Sequence, residues 1–204
     1  MSPEPNALRE DISYLRQLAE QGRRAPILSG AFLAAAGAVF GTACFIQWAM
    51  ILRAVGGAGP MLLLWGGAMV LFLLIWLMVF FQMRGQAAAA KNASNVAFSS
   101  SWLGIGIGIT VGCIAVGLAG AFVHQPAIML SYPPMVFAFY GTAWFVSGVL
   151  VHRRWMYGAA AGAFVFAIVL GLLSAQPWQL PVMGVALYLT LTWPGALLMR
   201  EKAL

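Results

Sequence analysis

Six apolar runs follow one another along this chain, and each has about the length of a membrane-spanning helix. A helix needs roughly 20 apolar residues to cross the hydrocarbon of a bilayer. None of the six runs contains Asp, Glu, Lys or Arg. The sequence therefore predicts an all-α, polytopic membrane helix bundle with six transmembrane helices. These predicted spans 1 to 6 cover residues 28–52, 61–83, 102–123, 134–151, 157–174 and 180–199.

The overall composition supports the membrane prediction and limits the partners. The chain is 62% apolar and 8% charged, whereas soluble domains are about 25% charged. A soluble fold could not cover its surface with so few polar residues. The chain has 11 Lys and Arg against 5 Asp and Glu. Because the basic residues flank the spans, we expect contact with membrane lipid and no nucleic-acid partner.

The polar N-terminal segment, residues 1–26, is predicted to contain a cytoplasmic amphipathic helix. Within residues 6–21 the apolar side chains recur at helical spacing on one face, at Leu8, Ile12, Leu15, Leu18 and Ala19. The charges of the segment cancel, which gives a weak electrostatic attraction to anionic lipid. Residues 6–21 are therefore expected to dock on a cytoplasmic protein or to lie among the headgroups. The transmembrane domain follows as residues 27–200, and 201–204 form a cytoplasmic tail.

The Lys and Arg residues predict the orientation. If the N-terminus is cytoplasmic, ten of the 11 basic residues face the cytoplasm, and Arg53 alone faces outward. Cytoplasmic loops of membrane proteins carry this excess of Lys and Arg. We therefore expect both termini in the cytoplasm.

The chain carries the motif Glu20-x-Gly22-Arg23 near its start and Trp193-Pro194-Gly195 near its end. These two motifs resemble those of bacterial six-span inner-membrane proteins. The resemblance implies a bacterial origin, a location in the inner membrane and a six-span architecture, and it implies no activity. The arrangement of spans as three helical hairpins is also similar, in shape only, to HdeD-type acid-resistance membrane proteins.

Small residues suggest how the spans pack. Span 3 carries Gly104, Gly108 and Gly112 at four-residue spacing, which lets helix backbones approach closely. This face either packs within the bundle or forms a homo-oligomer. The even spans share a Gly-x-Ala-bulky motif that begins at Gly66, Gly141 and Gly184. The motif either reflects three repeated hairpins or arises by chance from a Gly-rich and Ala-rich composition.

The distribution of ionisable residues argues against catalysis and ion coupling. All five acidic residues lie in the terminal segments, at Glu4, Glu10, Asp11, Glu20 and Glu201. Proton relays and ion-coupled transport normally use ionisable groups inside the membrane. The two histidines, His124 and His152, fall at opposite ends of the spans, roughly 30 Å apart, and cannot share a metal. We therefore predict no catalytic residue, no cofactor and no metal site.

Five deep aromatic residues are the candidates for a ligand site. They are Trp76, Trp144, Trp193, Tyr140 and Tyr188. They either pack within the bundle or line a hydrophobic pocket for a lipophilic molecule. Pro194 is predicted to kink span 6, because proline removes a helical hydrogen bond.

The sequence supports two functional hypotheses. The first is a non-enzymatic accessory, regulatory or assembly module, whose residues 6–21 dock on a cytoplasmic partner. The alternative is a small permease or hydrophobic-ligand carrier, acting as an oligomer. Its substrate would be neutral or lipophilic, since no span charge could balance an ion.

Overall fold

The structure, a computed structural model, describes residues 29–83 and 93–200. The predicted helix at 6–21 and the tail at 201–204 lie outside the described residues. All regular structure within the described ranges is helical. The helices are α1 (Gly30–Leu52), α2 (Ala58–Met83), α3 (Ala93–Phe122), α4 (Tyr132–Val151), α5 (Trp155–Leu172), α6 (Gln179–Leu187) and α7 (Trp193–Arg200).

The six predicted spans are confirmed as six helices long and apolar enough to cross a membrane. The last of them, span 6, is built from α6, a π-helical turn and α7, and runs over Gln179–Arg200. Helix α3 begins nine residues before its predicted span. It has 30 residues, and so it is about 45 Å long, more than the roughly 30 Å of hydrocarbon.

Prolines mark the beginnings of three helices rather than the loops before them. Pro60 lies in the first turn of α2, Pro133 and Pro134 lie in the first turn of α4, and Pro181 lies in the first turn of α6. Proline is tolerated there because the first N–H groups of a helix have no partner within it. Pro126 begins a short 3-10 helix, Pro126–Ser131, between α3 and α4.

The helices pack as two groups of three. In one group, α1 lies between α2 and span 6; in the other, α4 lies between α3 and α5. The first and last spans pair most extensively, followed by α4 and α5, whereas α5 packs less closely against span 6. Each helix reverses the direction of the one before it, and the hairpins α1–α2 and α3–α4 are packed pairs, whereas α5 packs more extensively against α4 than against span 6. The three-hairpin repeat stays one of the two interpretations of the Gly-x-Ala-bulky motif.

Helices α2 and α3 lie at the outside of the bundle. Only 6% of the most apolar stretch of each is buried, against 44% in α4 and in span 6. Within the described residues α2 packs mainly along α1, and α3 packs mainly along α4 and the 3-10 helix. The tightly packed interior consequently lies among α1, α4, α5 and span 6.

Candidate functional site: the interrupted last span and its aromatic layer

Span 6 is interrupted near its middle. A π-helical turn at Tyr188–Thr192 separates α6 from α7. The Trp193 N–H bonds the carbonyl of Tyr188, five residues back, as a π turn requires. Pro194 follows and has no N–H, so it cannot donate to the carbonyl of Thr190, four residues back. The interruption predicted from Pro194 therefore begins one turn before the proline itself.

Trp144 of α4 supplies the donor that the proline lacks. Its indole Nε1 donates to the Thr190 carbonyl oxygen at 2.8 Å, and its side chain is 0% exposed. The Thr190 hydroxyl bonds the carbonyl of Ala186 at 2.7 Å. A buried carbonyl without a partner would cost about 1–3 kcal/mol. The Trp144–Thr190 hydrogen bond thus joins the two helix groups at the point where the regular helical hydrogen bonds of span 6 are interrupted.

Aromatic rings from α3, α4 and α5 surround Trp144 within its own group of helices. The Trp102 ring lies edge-on at 5.0 Å between centroids, and the Trp155 and Phe98 rings lie at 5.6 and 6.1 Å. Edge-on contacts of this kind are favourable because the positive edge of one ring faces the negative face of another. We call this cluster the aromatic layer; it consists of Phe98, Trp102, Phe137, Tyr140, Trp144 and Trp155.

A seam of glycines holds span 6 against α1. A Cβ atom on Gly41 would lie 2.9 Å from the Tyr188 ring, and one on Gly184 would lie 3.1 Å from the Gly41 carbonyl oxygen. The Tyr188 hydroxyl hydrogen-bonds that of Thr42 at 2.7 Å. A Cβ on Gly195 would lie 2.6 Å from the carbonyl oxygen of Gly30. Both halves of the interrupted span are therefore fixed to α1, which limits their movement.

The five predicted pocket residues do not form one site. Trp144 and Tyr140 belong to the aromatic layer, and Tyr188 lies in the seam with α1. Trp76 is 39% exposed and stacks on Phe80, and Trp193 is 63% exposed. The prediction grouped residues of similar depth, but the structure places them in different surroundings: the aromatic layer, the seam with α1 and the exposed surface.

Sequence reasoning missed Phe98, Trp102 and Trp155 as members of the aromatic layer. Trp102 and Trp155 fell near predicted span ends and resembled interfacial tryptophans. The spacing of Phe98 and Trp102, four residues apart, places both on one face of α3 and was the available signal. Because α3 starts at Ala93, these residues lie well inside the helix.

The predicted glycine face of α3 lies partly in the bundle and partly open. A Cβ on Gly112 would lie 2.7 Å from the Met135 methyl of α4. Among residues 29–83 and 93–200, a Cβ on Gly104 or Gly108 would have nothing within 4 Å. Intramolecular packing thus accounts for Gly112, and Gly104 and Gly108 are left facing away from neighbouring side chains.

The described residues offer little acid–base or metal chemistry. Residues 29–83 and 93–200 contain no group of three His, Cys, Asp or Glu that could hold a metal ion. His124 and His152 are exposed and lie at opposite ends of the bundle. Both adopt a left-handed backbone conformation with φ 56°, in which they end α3 and α4. Both histidines therefore have a structural position, at the end of a helix.

Three buried polar atoms have no hydrogen-bond partner among the described residues. They are the Trp102 Nε1, the Ser147 Oγ and the Thr192 Oγ1. Ser147 is 0% exposed, so its hydroxyl is a polar group inside an apolar interior. The Trp102 indole belongs to the aromatic layer, which therefore holds one unused donor.

No protein family, no curated protein and no solved structure matches this chain. The fold therefore defines the class, a multi-pass α-helical membrane bundle. The resemblance of the chain ends to bacterial inner-membrane proteins stays a prediction.

Proposed function

We propose that this chain is a non-enzymatic accessory, regulatory or assembly module of a bacterial inner membrane. It acts through the open glycine face of α3 within the bilayer and through residues 6–21 at the cytoplasmic surface. One observation carries the proposal. Buried side chains occupy the interior of the bundle, whereas α3 lies at its outside. The centre of the bundle, at the break in span 6, is occupied by Trp144, which favours a structural role over a central passage.

The α3 face is better suited to a protein neighbour than the α2 face is. Apolar surface alone does not drive helix association in a bilayer, because lipid tails are equally apolar. Close backbone approach at small residues does favour association. Gly104 and Gly108 offer such an approach four residues apart, on one face of α3. The open glycines of α2, Gly66 and Gly67, are consecutive and therefore do not share a face. Lipid is therefore the expected neighbour of α2, and a second helix that of α3.

The proposed orientation places both termini in the cytoplasm. Among the described residues, Arg153, Arg154 and Arg200 lie at one end of the bundle and Arg53 lies at the other. This asymmetry supports the positive-inside assignment. The end that carries the three arginines is the cytoplasmic one.

The assembly role is tested by the double variant Gly104→Leu/Gly108→Leu. Since an added Cβ meets nothing among the described residues at either position, the variant should fold. The comparison variant is Gly158→Leu/Gly162→Leu in α5, where the glycines have the same spacing and an added Cβ meets nothing within the same described ranges. It tests whether the contact is specific to α3, the less buried of the two helices. The protein is extracted in mild detergent from the membranes in which it is expressed. Native mass spectrometry then gives the mass of the assembly, which is compared with the 21.8 kDa of a single chain.

We expect the wild type and the α5 control to run as an assembly, and the α3 variant to run as a single chain. The mass of the assembly distinguishes a homo-oligomer from a complex with another protein. Deletion of residues 1–26 should remove a cytoplasmic partner and leave the α3 contact intact. The assembly role is wrong if the α3 variant and the deletion both keep the wild-type mass and composition.

A hydrophobic-ligand carrier is the second candidate, and the interrupted span 6 favours it. Broken helices form substrate sites in many transporters, and the unpartnered Trp102 Nε1 is a donor that a ligand carbonyl could use. Uptake of neutral and lipophilic compounds into proteoliposomes tests this function. Background-level uptake by both the wild type and Pro194→Ala would reject it.

A further inference from the structure

The described residues carry their charge in a very uneven way. Within residues 29–83 and 93–200 the Asp, Glu, Lys and Arg residues are Arg53, Arg153, Arg154 and Arg200, with no acidic residue among them. Arg153 and Arg154 are consecutive and lie in the three-residue connection between α4 and α5. This connection, residues 152–154, is here called the basic turn.

The basic turn is held in place by two extensively packed helices, α4 and α5. His152 reverses the chain with φ 56°, and the Met156 N–H bonds the Arg153 carbonyl at 3.1 Å. A Cβ on Gly148 would lie 3.1 Å from the Tyr157 ring, so α4 and α5 are in close contact next to the turn. Arg154 is exposed and Arg153 is half-buried. The short connection between these two helices thus carries two arginines next to each other in the sequence, of which Arg154 is the exposed one.

The surface beside the basic turn is apolar. Val149 and Leu150 in the last turns of α4 are exposed. The Tyr157 ring of α5 is also exposed and packs against Phe145, with centroids 5.7 Å apart. A molecule that covers both parts of this surface must combine an anionic group with hydrocarbon chains.

We propose that the basic turn binds an anionic phospholipid. The phosphate lies against the guanidinium groups of Arg153 and Arg154, and the acyl chains lie along Val149, Leu150 and Phe145. Arginine suits this role because its planar guanidinium can give two parallel hydrogen bonds to phosphate oxygens. Clusters of basic residues beside a membrane span attract anionic lipid headgroups. This inference does not depend on the proposed assembly role.

The test uses the delipidated full chain in neutral detergent, titrated with phosphatidylglycerol, phosphatidylcholine or inorganic phosphate. Native mass spectrometry counts the bound lipid, and a thermal unfolding scan gives the Tm. We expect phosphatidylglycerol to bind and raise the Tm, and phosphatidylcholine to bind far more weakly. The variant Arg153→Gln/Arg154→Gln should lose roughly 25-fold in phosphatidylglycerol affinity. The matched control Arg53→Gln, at the other end of the bundle, should keep the wild-type affinity.

Four results would overturn the proposal. The first is equal affinity for the two lipids, and the second is an unchanged affinity in Arg153→Gln/Arg154→Gln. The third is a Tm shift with inorganic phosphate as large as that with phosphatidylglycerol, which would assign the turn to free phosphate. If the double variant does not fold, Arg154→Gln alone replaces it, because this side chain is exposed and contributes little to packing. A loss of affinity in Arg53→Gln equal to that of the basic-turn variant also rejects the site, since it would reflect net charge alone.

Discussion

The hydrogen bond between Trp144 and Thr190 yields the sharpest prediction about this fold. In Trp144→Phe the Thr190 carbonyl loses the donor now at 2.8 Å. Pro194 cannot replace that donor, because it has no N–H. The lost bond should cost about 1–2 kcal/mol, since interhelical hydrogen bonds in membranes reach roughly 1.7 kcal/mol. The smaller ring adds roughly 1 kcal/mol, because Trp144 is fully buried and the cavity costs about 24 cal/mol per Å³.

A double-mutant cycle separates the two contributions. Pro194→Ala restores an N–H that a regular helix directs to the carbonyl four residues back, which is that of Thr190. In this background Trp144→Phe should lose only the packing part. We therefore expect a coupling of about 1 kcal/mol between positions 144 and 194. A matched control is Trp193→Phe, the same exchange at a side chain that is 63% exposed, which should change the stability little.

Titration with SDS in mixed micelles unfolds the protein reversibly. It gives the free energy of unfolding of the wild type, the two single variants and the double variant. The reasoning is refuted if Trp144→Phe costs the same with proline and with alanine at position 194. That result would mean that the indole contributes by packing alone, and that the carbonyl finds another partner.

Three further predictions concern the helix contacts and the cysteines. Gly37→Ala should destabilise the fold by about 1–3 kcal/mol, since its Cβ would lie 2.6 Å from the Thr192 backbone nitrogen. In the same unfolding assay the control Gly158→Ala, whose Cβ meets no described residue, should be neutral or stabilising. Gln47→Leu should loosen α2 from α1, because the Trp65 indole donates to the Gln47 side chain at 3.0 Å. Relative to the wild type, hydrogen exchange should accelerate more in α2 than in α5. An equal change in the two helices would contradict this prediction. Cys44 is buried and Cys113 is half-buried. A membrane-permeable maleimide should therefore label Cys113→Ser, which retains Cys44, far more slowly than Cys44→Ser, which retains Cys113. Equal rates in folded protein would show that the centre of the bundle opens.

Composition and length predicted the spans well, for a simple physical reason. A helix without charge and with about 20 apolar residues has one favourable environment, the bilayer. The six spans could therefore be recognised from local sequence alone, with boundaries correct to a few residues except at the start of α3. That helix begins at Ala93 because its polar first turns continue the helix beyond the hydrocarbon.

The pairing of the spans could not be predicted in the same way. In a soluble helix, an apolar face identifies the side that packs against the core. These helices are apolar all round, because lipid and protein interior favour the same side chains. Glycine spacing identified faces that can pack closely, but it did not distinguish Gly41, which contacts span 6, from Gly104, which faces open space.

The sequence by itself thus determined six spans and an uncharged membrane interior, since both follow from the transfer of single side chains into hydrocarbon. Only the tertiary structure decided which residues meet. It brought Trp144 of α4 to the Thr190 carbonyl, 46 residues away in the chain, and it separated Trp76 and Trp193 from the aromatic layer. A proline shows that a hydrogen bond is missing, but the residue that replaces it depends on how the helices pack in three dimensions.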